Sequence, residues 1–151
     1  MPDQLLSLRD KLATEIPVTQ HLGLEVVSYD HTGLQLGAPL IKNVNHEGSA
    51  FAGSVNAVAT LAGWGWVWLT LRERRLSALI VLQDSSVKYL KPITSDFVAR
   101  CLPPSEAEVS RLLAGIVRHG RGRMALAVEI STGEGLAASF RGRYVARAVP
   151  G

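Results

Sequence analysis

Asn43 to Leu71 reads NVNHEGSAFAGSVNAVATLAGWGWVWLTL, and the interpretation of this stretch decides the fold. It opens on polar residues and a glycine, then runs from Gly48 to Leu71 without a charge. Two structures accommodate it. One is a membrane span, since about 20 apolar residues cross a bilayer. The other is a helix wholly enclosed by protein. Asn56, Thr60 and many alanines and glycines make the stretch less apolar than its length suggests, and small residues let other backbones approach closely. That content favours protein over lipid, provided the rest of the chain supplies a sheet able to wrap the helix.

Working outward, the flanks supply one. Upstream, Leu5, Leu8 and Leu12 are spaced for one helical face, with Asp3 as N-cap and Pro17 as the stop. A strand begins in His21–Val27, turns at Thr32-Gly33 and returns over Gly33–Leu40 as a hairpin. Downstream, Arg72, Arg74 and Arg75 suit the negative pole of the long helix. Leu79–Leu82 is a continuous apolar run, as expected of a strand covered on both faces, and it continues to Leu90 before Pro92. Phe97–Leu102 is the next strand, ended by Pro103-Pro104. Ser105–Ile116 reads either as a helix opened by Ser-Glu-Ala-Glu or as a strand from Val109. Met124, Leu126, Val128 and Ile130 then alternate with Arg123, Ala125, Ala127 and Glu129. After a Thr132-Gly133 turn, Phe140, Tyr144 and Ala146 oppose Arg141, Arg143 and Arg147. Helix, hairpin, long helix and a run of antiparallel strands make an α+β fold, with the sheet curled round the central helix.

Composition sets bounds. A chain of 151 residues with 47% apolar and 19% charged residues is expected to form one globular domain over 1–151. The first residues mix charge with leucine, unlike a secretory signal. The single cysteine, Cys101, offers no internal disulfide and no metal cluster, so a reducing, cytoplasmic location and no metal are expected. Twelve arginines against four lysines give a net charge of +3, which fits an anionic ligand or an ordinary solvated surface. Aromatic residues are few, and Phe140 and Tyr144 face away from the arginines beside them, so stacking support for nucleic acid is poor.

Three motifs carry a resemblance. Ile16-Pro17-Val18 to Leu22-Gly23-Leu24-Glu25-Val26, the loop Asn45-His46-Glu47-Gly48-Ser49-Ala50-Phe51-Ala52-Gly53-Ser54, and Ser86-Val87-Lys88-Tyr89-Leu90-Lys91-Pro92 occur in order over nearly the whole chain. Together they resemble the hot-dog-fold acyl-CoA thioesterases, and the Phe-Ala-Gly-Ser start with Ala62-Gly63-Trp64 is similar to the YiiD C-terminal branch. The resemblance implies a hot-dog fold and hydrolysis of a coenzyme A or acyl-carrier-protein thioester. It implies no cofactor beyond the coenzyme A of the substrate, and a homodimer, or a dimer of dimers, with sites between subunits. It places the oxyanion-binding amide at Ala52, with Gly53 beside it. Asn45 and Gly48 match the family loop. Phe51 replaces the usual loop histidine, Thr60 the acid nine residues on, and Leu82 a Ser or Thr ten residues before Pro92. The usual general base is therefore missing.

The residues themselves offer candidates and bland alternatives. The first amides of a helix carry partial positive charge and can hold an oxyanion, or Ser49 or Ser54 can simply cap them. Asn45 can hold water or the thioester oxygen, or shape the loop as an Asx-turn. Alternation puts Asp84 on the face of Ile80 and Leu82, where desolvation would raise its pKa toward general-base work; an ion pair is the alternative. Asn56 and Thr60 share a helical face and can orient water without taking its proton. His46 and Glu47 could relay protons, as a hydratase or dehydratase would need, or be exposed loop polarity. Gly48, Ser49, Phe51 and Asn56 complete the expected substrate contacts at the helix start. Arg121 and Arg123, in a basic group with Arg118, Arg141 and Arg143, are expected to hold coenzyme A phosphates, or to be a solvated sheet face. A protein that binds acyl-CoA without turnover is the alternative function.

Overall fold

The computed structural model describes residues 2–150. Helix α1 (Pro2–Glu15) and the short α2 (Val18–Leu22) precede a hairpin of β1 (Glu25–Asp30) and β2 (Gly33–Ala38). The long helix α3 (Ala52–Glu73) follows, then β3 (Ala78–Tyr89), β4 (Phe97–Cys101), α4 (Glu106–His119), β5 (Arg121–Thr132) and β6 (Gly135–Ala148). The strands form one antiparallel sheet in the order β1-β2-β4-β5-β6-β3.

The charge-free helix lies inside this sheet. It packs on β2 through β6, and Val58, Ala59, Ala62, Val67 and Leu69 are fully covered. Among the described residues, no helix is long and apolar enough to cross a membrane. Glycines set the closeness of approach: a Cβ on Gly63 would sit 2.2 Å from the Tyr144 hydroxyl, and one on Gly65 would sit 2.8 Å from Leu34. The buried Tyr144 hydroxyl has its partner, donating to the Thr60 carbonyl at 2.7 Å. On β5 and β6 the predicted alternation holds, with Met124, Leu126, Val128, Ile130, Phe140, Tyr144 and Ala146 facing inward.

Several local expectations are corrected. Helix α1 begins at Pro2, a residue suited to a first helical position, so Asp3 lies in its first turn rather than capping it. Val18–Leu22 is helical, closed by Gly23 at φ 68°, so the strand starts at Glu25 and not at His21. The central helix starts at Ala52, three residues after Ser49. Ser105–Ile116 is helical because Ser105 and Glu108 form a reciprocal capping box and Leu112 and Ile116 bury one stripe. The Leu79–Leu82 run is not covered on both faces. Its strand β3 bonds only to β6 at the sheet margin, leaving Leu79 54% and Val81 57% exposed.

Candidate active site

The loop before α3 is built from one buried asparagine. Asn43 is 3% exposed, and its Nδ2 donates to the carbonyls of Leu22 (2.9 Å) and Pro39 (2.8 Å). Its own carbonyl accepts from Phe51 N at 2.7 Å, which draws the loop shut just before the helix. Sequence reasoning misses this residue, because Asn43 is one polar residue among others, between Lys42 and Asn45-His46-Glu47, and nothing marks it as buried. Inside the loop, Asn45 Oδ1 accepts from the amides of Glu47 (2.8 Å) and Ser49 (3.1 Å), and its Nδ2 donates to Ser49 Oγ at 3.0 Å. Asn45 therefore shapes the loop. Gly48 turns it at φ 82°, a conformation that favours glycine. His46 and Glu47 pair at 3.6 Å in solvent, their side chains 87% and 77% exposed.

Phe51 is the N-cap residue of α3, and no side chain caps the helix there, neither Ser49 nor Ser54. The Phe51 carbonyl accepts from Ser54 N and Val55 N. The amides of Ala52 and Gly53 remain without an intrahelical acceptor, at the positive pole of a 22-residue helix. Both residues are exposed in the single chain. The half-exposed Phe51 ring lies against this first turn, since a Cβ on Gly53 would sit 2.5 Å from the ring. Tyr89, at the end of β3, donates its hydroxyl to the Ala52 carbonyl at 2.9 Å. Asn56 Oδ1, one turn further, is buried with no hydrogen-bond partner. Thr60 follows, half-buried, its carbonyl tied to Tyr144.

Asn45, Gly48, Ser49, Phe51, Ala52 and Gly53 thus gather in one loop and helix start, with Asn56 and Thr60 along the same helix. Asp84 does not join them. A bulge between Leu82 and Asp84 reverses the alternation, so Asp84 stands opposite Arg143 on the outer face, exposed and paired with it at 3.7 Å. The burial expected of it is missing, and the ion-pair alternative holds. Arg121 and Arg123 also lie on the outer face, at the far end of the sheet. Among the described residues, no group of three His, Cys, Asp or Glu is arranged to hold a metal ion.

A family model described as "Putative thioesterase (yiiD_Cterm)" matches residues 5–148. The chain belongs to this YiiD C-terminal thioesterase family. A crystal structure described as a putative thioesterase from Shewanella oneidensis is similar at 32% identity and a TM-score of 0.89, covering 99% of this chain and 100% of that one. A protein described as of unknown function from Chlorobaculum tepidum is 30% identical, with a TM-score of 0.89 over 95% of this chain and 93% of that one. A thioesterase from Haemophilus influenzae shares the fold at 17% identity and a TM-score of 0.73, covering 95% and 90% of the two chains. The hot-dog architecture and a thioester-hydrolase role follow for this YiiD-type chain.

Proposed function

We propose that the protein hydrolyses acyl thioesters of coenzyme A or of an acyl-carrier protein. The observation that carries this reading is the pair of acceptor-free amides at Ala52 and Gly53. A thioester carbonyl held there gains most as its oxygen becomes an oxyanion, because fixed N–H donors need no reorganisation during attack. Asn45 contributes by fixing the loop that aims the helix. Asn56 and Thr60, one and two turns inside, position the attacking water; the unpartnered Asn56 Oδ1 is an available acceptor for it. Phe51, Gly48 and Ser49 form the rim against which the acyl group lies. Asp84 has no part in activating water within the same chain, given its outward place.

A homodimer belongs to the same reading. Strand β3 is 12 residues long and leaves one row of backbone groups without a strand partner, beside the exposed Leu79 and Val81. A second copy adding its own β3 would satisfy that row.

Thiol release measured over a panel of acyl-CoA chain lengths tests the activity. Turnover on at least one chain length, lost on removal of the Phe51–Gly53 geometry, is the expected result. The second reading, binding without turnover, draws on Phe51 and Thr60 standing where the resemblance places a base. Tight binding of acyl-CoA with no thiol release would establish it instead.

A further inference from the structure

The outer end of the sheet holds a second feature. Arg111, Gly115 and His119 lie at i, i+4 and i+8, on one stripe of α4. Two glycines press that stripe onto the start of β5. A Cβ on Gly115 would sit 2.7 Å from the Arg121 carbonyl, and one on Gly122 would sit 2.4 Å from the Leu112 carbonyl. Gly120, at φ 74°, turns the chain directly from helix to strand. Arg121 pairs with Arg147 across β5 and β6, and Arg123 follows on the same face. A hollow of about 580 Å³ results, lined by Arg111, Arg121, Arg123, Arg147 and His119, with no carboxylate in its wall.

Four guanidinium groups around one hollow repel one another. Among the described residues none of the four has a carboxylate within 4.0 Å, whereas Arg9, Arg74 and Arg143 each do. The nearest relief is Glu108, one turn before Arg111 and already committed to the Ser105 cap. An anion with several oxygens is the missing partner, because guanidinium forks match phosphate geometry two bonds at a time. We propose that this hollow is a binding site for a phosphate ester or diphosphate group, held by Arg111 and Arg147 as well as Arg121 and Arg123.

Its distance from the helix start constrains what the ligand is. Arg147 and Ala138 are nine residues apart on β6, and Ala138 pairs with Tyr89, whose hydroxyl touches Ala52. At about 3.3 Å per residue the hollow lies roughly 30 Å along the strand from that pairing. A phosphate in the hollow and a carbonyl on the same chain's amides occupy opposite ends of the sheet. Two copies paired antiparallel on β3 interchange those ends, bringing the hollow of one toward the helix start of the other. The phosphate group therefore belongs either to a coenzyme A thioester shared between two copies, which rests on the proposed hydrolysis, or to a separate phosphorylated ligand.

ADP binding to the full chain, measured by calorimetry with adenosine as the uncharged control, tests the site. ADP is expected to bind and adenosine not. The R121A/R147A and R111A variants should weaken ADP about tenfold or more, while R141A, on the same face but outside the hollow, leaves it unchanged; thermal melts confirm that each variant folds. ADP binding no tighter than adenosine, or equal loss in R141A, overturns the proposal. Hydrolysis assays then separate the sources. A raised KM for acyl-CoA but not for acyl-pantetheine in R121A/R147A supports the substrate's nucleotide end. Lost ADP binding with both KM values unchanged supports a separate ligand. Because ADP binding needs no turnover, failure of the hydrolase reading leaves this result interpretable.

Discussion

At the scale of single residues, the site depends on side chains that hold backbone in place. Asn45 spends its whole amide group inside the loop. Asn45→Ala should lower stability by roughly 1–3 kcal/mol and reduce kcat with it, since the loop aims the first turn of α3; a melting curve and a thiol-release assay on one preparation check both. Cys101 behaves differently. It is fully buried, and burial pushes its thiol well above the ordinary value of 9.0. Burial does the same to the Tyr144 hydroxyl, with Cys101 beside it, relative to 10.0, and to Tyr29, with Glu73 adjacent. Each group is neutral in the folded chain and ionises more readily once unfolded. Their stabilising effect is complete below pH 9 and is lost as pH climbs through 9 and then 10. The loss is at most about 1.4 kcal/mol per pH unit for Cys101 and for Tyr144, and smaller for the partly exposed Tyr29, where solvent screens the charge. Denaturant titrations at pH 8, 9 and 10 should show this fall, and Cys101→Ala should flatten its first part.

At the scale of elements, closeness of packing decides. Gly63→Ala forces a methyl into the Tyr144 hydroxyl and should cost about 1–3 kcal/mol. Gly133→Ala, where nothing lies within 4 Å, should change stability by less than about 0.5 kcal/mol. Chemical denaturation of the two variants side by side is the check. The elements most legible in the sequence are those whose environment is uniform along their length. Helix α3 is buried on most of its surface, and the stripe left partly open, through Asn56, Thr60, Trp64 and Trp68, carries few polar groups; β5 and β6 are covered on one side and alternate cleanly. Alternation misplaces Asp84 because a single extra residue, Gln83, shifts the phase, and a bulge leaves no mark in the pattern of apolar residues. Val18–Leu22 reads as the approach to a strand because one helical turn is too short to show a period. The loop and helix start are legible from motif order, whereas Asn43, which anchors them, is recognised only from its hydrogen bonds.

At the scale of the whole molecule, the sheet order places β3 at the margin although two strands precede it and three follow it along the chain. That margin is apolar at Leu79 and Val81, and a charge there should block self-association. The native chain is expected to run as a dimer in light scattering and Val81→Lys as a monomer, with its melting curve still cooperative. The apolar run at Leu79–Leu82 suggests a strand covered on both faces because periodicity records how apolar a strand is, and not whether the cover comes from the same chain. The same topology bears on how the molecule is made. The central cylinder is finished at Glu73, yet its last wall, β6, is not synthesised until Ala148. A chain still emerging from the ribosome can therefore cover the greasy rod only in part, with the earlier α1 and β2, until the later strands arrive, a condition that invites chaperone capture.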